Sequence, residues 1–222
     1  MNLIQNLKIE VENHPILKNQ WLLTRKDHLS KRDLSLWLSQ EYFVSIAFVN
    51  WFLWATTLTT DINAKIVLVQ NIWEELGEGN PALSHIQILT QFLSRIGISE
   101  SELKILPHTK KYLTIMKEIT NSNFYSALGA LGPANEYLLK LEYGAMYKSY
   151  QDLKLREKLP EAHFFQVNLE ADESHSAKLF RLIDSICVDS EKKEQVIKGN
   201  KDALDARMLF YEGLMEFESN PK

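Results

Sequence analysis

Cysteine is nearly absent from this sequence. The one thiol, Cys187, allows no internal disulfide and no cysteine-rich zinc site. It fits a reducing compartment, so the chain is expected in the cytoplasm. Helix breakers are also scarce. Six prolines and eight glycines in 222 residues leave room for long helices rather than short strands joined by turns. Positive charge is not in excess: 25 Lys and Arg stand against 29 Asp and Glu, for a net charge of −4. With no basic block, a nucleic-acid partner is not expected. A long unbroken apolar run is missing as well. The most apolar stretch, Tyr42 to Leu58, is interrupted by Ser45, Asn50, Thr56 and Thr57. It reads as a buried core helix, and no membrane association is expected. The opening MNLIQNLKIEVENHP carries acids early and lacks the apolar core of a signal peptide.

What is present is an ordinary globular mixture, 45% hydrophobic and 24% charged, with apolar residues recurring at helical spacing. The spacing predicts helices over residues 16–23, 30–58, 62–76, 82–96, 109–120, 124–150, 164–187 and 190–217. Ser30 with Asp33 marks one start, Asp61 caps the next helix, and Gly77, Gly79 and Pro81 stop it. No segment alternates as a strand does. The expectation is one all-α domain over residues 1–222, a bundle of about seven or eight helices.

Chemistry-bearing residues gather at four places. The first is N-I-W-E-E-L-G-E-G-N-P-A-L-S-H, Asn71 to His85. Glu74, Glu75 and Glu78 crowd a helix C-terminus, where the helix dipole disfavours negative charge. Glu75 shares its helix with Ile66, Leu68, Val69 and Ile72, and a buried carboxylate needs a partner or a cation. On an unbroken helix Glu75 and His85 would lie about 80° apart. The Gly-Glu-Gly-Asn-Pro break frees both to meet at one ion, with Glu78 competing for the place of Glu75. The alternative is an acidic surface turn beside a core histidine. The second place is D-E-S-H, Asp172 to His175, whose ends share a helix face. Asn168 points the same way. Glu170 and Glu173 nearby would equally suit a solvated face. The third is Glu136, after Gly129, Gly132 and Pro133, either a ligand or the partner of Lys140 in an i,i+4 salt bridge. The fourth is Glu41, inside the long apolar helix, either buried with a partner or on its polar edge. Cys187 has no base beside it and reads as a core residue. His14 precedes Pro15 and reads as a helix-start packing contact, and His28, His108 and His163 have no partner at ligand spacing.

Taken together, N-x-x-E-E-x-G-x-G-x5-H at Asn71 to His85, G-x-x-x-E at Gly132 to Glu136, and F-F-x-x-N-x3-D-x2-H at Phe164 to His175 resemble a family. It is that of the haem-oxygenase-like di-iron oxidases. His14-Pro15, Gln40 and Tyr42 are similar to the TenA and PQQ-synthesis group, which includes the chlamydial death-domain-associating protein. The resemblance covers roughly residues 10 to 215 and implies a haem-oxygenase-like (TenA-like) helical bundle. It implies metal ligation by Glu75, His85, Glu136, Asp172 and His175, with Glu41 as a further carboxylate. The cofactor implied is iron, as two ions or one, with manganese an option at the second position. There is no haem motif. The activity implied is O2-dependent oxidation of a small amine, amino acid or aliphatic acid, in a homodimer. One position departs from the pattern. The family has histidine where this chain has Asn168, and an amide oxygen is a poorer iron ligand than an imidazole. The implied outcome is a tight first metal and a loose or empty second one. Two other readings stand beside it: a metal-free relative that binds or transforms a small nitrogen heterocycle, and a non-enzymatic partner-binding protein.

Overall fold

The computed structural model describes residues 2–219, with the side chain of Asp172 outside the described part. Among the described residues there is no strand. The helices are α1 (Leu3–Asn13), α2 (Gln20–Arg25), α3 (Lys31–Thr57), α4 (Ile62–Glu75), α5 (His85–Arg95), α6 (Pro107–Thr120), α7 (Phe124–Leu131), α8 (Leu138–Glu157), α9 (His163–Ile186) and α10 (Ser190–Ser219). The all-α expectation holds, with more helices than the spacing suggested. The spacing does not predict α1. Asn2 and Gln5 form its capping box, and only Leu7 and Val11 are buried, too few to give a periodic signal. The segment predicted over 16–23 divides into a 3-10 turn at Pro15–Lys18 and α2, because Asn19 caps a new start.

The core is aromatic. Trp37, Trp51, Phe52, Tyr112, Phe165 and Phe210 are fully buried, and Trp37 stacks on Phe165 at 5.8 Å. No helix among the described residues is long and apolar enough to cross a membrane. Tyr42 to Leu58 lies within α3 and its continuation, and Val44, Phe48, Trp51, Phe52 and Ala55 turn inward. The helices α7 and α10 cross nearly backbone to backbone. A Cβ at Gly129 would stand 2.0 Å from the Val196 carbonyl oxygen, and one at Gly199 would stand 2.0 Å from that of Ser126. Neither position tolerates a side chain.

The helix predicted over 124–150 runs further, to Glu157, and contains a π turn at Gly132–Tyr137. Pro133 has no N–H to give the ladder, so the register slips by one residue. The Leu138 N–H reaches the Pro133 carbonyl, and the Asn135 side chain satisfies the carbonyl of Ala130 at 2.6 Å.

Deep in the bundle, Arg207 of α10 joins α3 to α8. Its Nη2 lies 2.5 Å from Glu41 Oε1 and 2.7 Å from Glu142 Oε2, and all three residues are buried. Burial pushes the Glu41 pKa up against the pull of Arg207. Burial likewise opposes the charge on Arg207, but Glu142 and Glu41 hold it firmly protonated. Removing one partner of a buried ion pair leaves the other charge stranded, at a cost of about 3–5 kcal/mol. Arg207→Leu is therefore expected to lower stability by about that much, read from the urea unfolding midpoint. Adding Glu41→Gln and Glu142→Gln to it should recover part of the loss.

Candidate metal centre

Four residues from four different elements converge. Glu75 ends α4, His85 opens α5, Glu136 sits in the π turn and His175 lies within α9. The reversal between α4 and α5 makes the first pair possible. Gly77, Glu78 and Gly79 have φ of 76°, 54° and 87° in succession. A Cβ at Gly77 would meet the Asn80 carbonyl oxygen at 2.4 Å and the Ser84 nitrogen at 2.6 Å, so the turn requires glycine there. The chain comes back with His85 Nδ1 2.9 Å from Glu75 Oε2. The π turn aims Glu136 at the same place. His175 Nδ1 stands 3.4 Å from Glu136 Oε1 and 3.6 Å from Glu75 Oε1.

All four side chains are buried; Glu136 and His175 are 0% exposed. None of their mutual contacts is aligned as a hydrogen bond. Both oxygens of Glu136 and Nδ1 of each histidine are buried without a hydrogen-bond partner. Leaving such groups unsatisfied is costly, more so when they are charged. Ligand atoms of Glu75, Glu136 and His175 all lie within 4.8 Å of one another. Carboxylate and imidazole donors, close together and otherwise unused, suit a first-row transition metal. The residues present therefore fit a metal ion.

The electrostatics say the same. Burial pushes the Glu136 carboxyl up. Burial opposes a charge on His175, but Glu136, Glu75 and Glu74 outweigh it and raise its pKa to about 9. His85 is raised as well, by Glu75 against the effect of burial. The cluster attracts positive charge, and the metal-free chain supplies it as protons.

The neighbouring glutamates divide the work. Glu75 points inward, while Glu74 turns to the far side of His175, with its Oε2 2.7 Å from His175 Nε2. Lys178 Nζ donates to both Glu74 oxygens, at 2.8 and 3.0 Å. Glu78, the competitor of Glu75, is exposed. The i,i+4 bridge from Glu136 to Lys140 does not form, because Lys140 pairs with Glu173 instead. In D-E-S-H, Glu173 and Ser174 are exposed and His175 is buried. The Asp172 side chain lies outside the described residues. Glu41 has a partner of another kind, the guanidinium of Arg207, which separates it from the four converging residues. Asn168 gives its Nδ2 hydrogen to the Phe164 carbonyl at 2.8 Å, a bond within α9. Cys187 is in the core, and burial raises its pKa to about 11, far from a nucleophile's range. His14 uses Nδ1 to accept from the Ile16 N–H and sets Nε2 3.2 Å from Asp205.

Two cavities flank the cluster. The outer one, about 360 Å³, is reached past Glu78, His163 and Glu170; Leu83 and Val167 wall it, and His85 and His175 form its floor. The inner one, about 20 Å³, lies among Val44, Phe48, Leu139, Tyr143 and Asn168, beside Glu75 and His85. The Tyr143 hydroxyl donates to Glu41 Oε2 at 3.3 Å, so this cavity wall is continuous with the Arg207 network. Sequence alone assigns no role to Lys178, Tyr143 or Arg207, and it marks Glu74 as a misplaced acid without giving it one. Lys178 stands three residues after His175, at same-face spacing. Nothing in the sequence says which of two consecutive glutamates turns inward.

A buried carboxylate–histidine centre in an all-α bundle defines a class of protein that comparison makes explicit. Residues 35–208 match the model of a family described as iron-containing redox enzymes. The chain belongs to that family. No curated protein sequence matches it. Among solved structures it is similar to a CADD-like protein of unknown function from Nostoc punctiforme, with TM-score 0.77 and 17% identity over 96% of each chain. A domain of unknown function with a haem-oxygenase-like fold from Shewanella denitrificans gives TM-score 0.77 and 15% identity, over 97% of this chain and 91% of that one. A TenA homologue from Pseudomonas syringae pv. tomato gives TM-score 0.71 and 14% identity, over 96% and 91%. The fold is haem-oxygenase-like.

One outcome follows from the cluster's charge, and another from the separation of Glu41 from it. A histidine with a raised pKa contributes stability that is complete below its unfolded value of about 6.5. That contribution is lost as pH rises through about 9. Thermal melting of the metal-free protein should therefore fall between pH 6.5 and 9, and His175→Gln should flatten the fall. Glu41→Gln is expected to lower stability while leaving metal content unchanged, as elemental analysis would show.

Proposed function

We propose that this chain is an iron-dependent oxidase or oxygenase with one tightly held ion, acting with O2 on a small amine, amino acid or aliphatic acid. The observation that carries the reading is the buried meeting of Glu75, Glu136 and His175, with His85 Nδ1 against Glu75, where both Glu136 oxygens and Nδ1 of each histidine have no hydrogen-bond partner. These four side chains would hold the ion. Iron bound there would supply the redox chemistry.

The rest of the work falls to the chain itself. Leu83, Ile88, Val167 and Ala171 offer an apolar wall for the body of a small substrate in the outer cavity. Glu78, His163 and Glu170 offer polar contacts around the same space. On the inner side Val44, Phe48 and Leu139 keep bulk water from Glu75 and His85. Tyr143 holds a proton at its hydroxyl, directed to Glu41. Glu75 and Glu136 together carry two negative charges, which a divalent ion balances.

Asn168 supports one ion rather than two. Its amide hydrogen is already committed to Phe164, and amide oxygen is a weak ligand for iron. A second reading rests on the same charges. Protonated His85 and His175 neutralise Glu75 and Glu136 without any ion, as a metal-free relative binding a nitrogen heterocycle would require.

Anaerobic purification, Fe(II) reconstitution and elemental analysis, followed by O2 uptake, separate the two. The expected result is about one iron per chain with O2 consumption. His85→Ala and His175→Ala should each abolish stoichiometric metal, and Cys187→Ser should not. Asn168→His should raise occupancy toward two. No metal after reconstitution would favour the metal-free reading.

A further inference from the structure

His175 has two ring nitrogens, and each meets different acids. Nδ1 faces Glu136 and Glu75, whereas Nε2 meets Glu74, on the far side of the ring from the centre. Resting on the metal reading above, we propose that Glu74, held in place by Lys178, is the positioning residue of this centre. It accepts the Nε2–H of His175 and so leaves the Nδ1 lone pair for the ion.

A neutral imidazole exists as two tautomers, and only the one protonated at Nε2 presents a lone pair at Nδ1. A carboxylate 2.7 Å from Nε2 selects that tautomer and fixes the plane of the ring. Glu74 needs a restraint of its own. It is adjacent to Glu75, and a third carboxylate swung inward would upset the match of two negative charges to a divalent ion. Lys178 supplies the restraint by donating to both Glu74 oxygens, at 2.8 and 3.0 Å, and cancels its charge. Lys178 lies three residues after His175 on α9, so ring and clamp share one rigid element. The other histidine is held differently. Among the described residues no hydrogen bond fixes Nε2 of His85, which lines the outer cavity. One imidazole has a carboxylate behind it; the other meets its carboxylate, Glu75, only on the side of the centre.

The test uses the full-length chain with Co(II) and Fe(II) as probes, in the wild type and in Glu74→Gln, Glu74→Ala and Lys178→Met. Glu74→Ala is expected to weaken metal binding roughly 10- to 100-fold. Glu74→Gln should lose less, because its amide oxygen still accepts from Nε2–H. In the Co(II)-loaded wild type, the His175 ring N–H should give a paramagnetically shifted proton resonance that exchanges slowly with solvent. Glu74→Ala should abolish it, a signature that a purely structural role would not move. If Glu74→Ala does not fold, Glu74→Gln and Lys178→Met decide by the same readouts. Wild-type affinity and an intact N–H resonance in the Glu74 variants, with metal lost in His175→Ala, would overturn the positioning role and leave the centre standing. A wild type that takes up neither ion would overturn the centre and this proposal together.

Discussion

The guanidinium of Arg207 sits where no water reaches, between two carboxylates from two other helices. Its position constrains much of what surrounds it. Glu41 belongs to α3, which also carries Val44 and Phe48 into the inner cavity. Glu142 belongs to α8, two turns beyond Glu136 and one residue before Tyr143. Pulling these elements onto α10 sets the wall against which the candidate centre is built. A buried ion pair gains little over an apolar replacement, since desolvation offsets most of the attraction. Its value here is geometric: three long helices have one register in which the charges meet.

The protein thus has two buried groups of acids, treated in opposite ways. Glu41 and Glu142 receive a permanent cation from the chain. Glu75 and Glu136 receive only imidazoles, whose charge is conditional on pH. The first arrangement is closed. The second leaves room for a cation from outside, and both cavities lie beside it. The same residue type at similar burial serves architecture in one place and, on our reading, chemistry in the other. The difference is whether an arginine reaches it.

This difference marks the limit of what the sequence made legible. Helix content, the core tryptophans Trp37 and Trp51, and the reversal after Glu75 could all be read from spacing and from Gly and Pro. The meeting of Glu75 with His85 could be read as an opportunity the break allows. The partner of Glu41 could not, because Arg207 is 166 residues away and carries no local mark. Apolar neighbours on α4 suggest that Glu75 is buried, and it is, yet Ile66 and Val69 are 58% and 51% exposed, on the outer face. Leu68 and Ile72 share its buried side. An apolar helix does not by composition alone say which side is in. The break of Gly132-Pro133 was visible as a bend, but not as the register slip that points Glu136 inward.

That register slip ties the centre to the genetics of the chain. A π turn is an α-helix with one residue more than the ladder can use. Deleting a single codon within Gly132–Tyr137 would let the helix close regularly. It would also turn everything on one side of the deletion by about 100° relative to the other. Glu136 and the pair Glu142–Tyr143 stand on one helix but answer to two different buried partners. After such a deletion they could not both reach them. This short, buried stretch cannot absorb a change in length. The spacing between Pro133 and Glu136 is therefore fixed by the site.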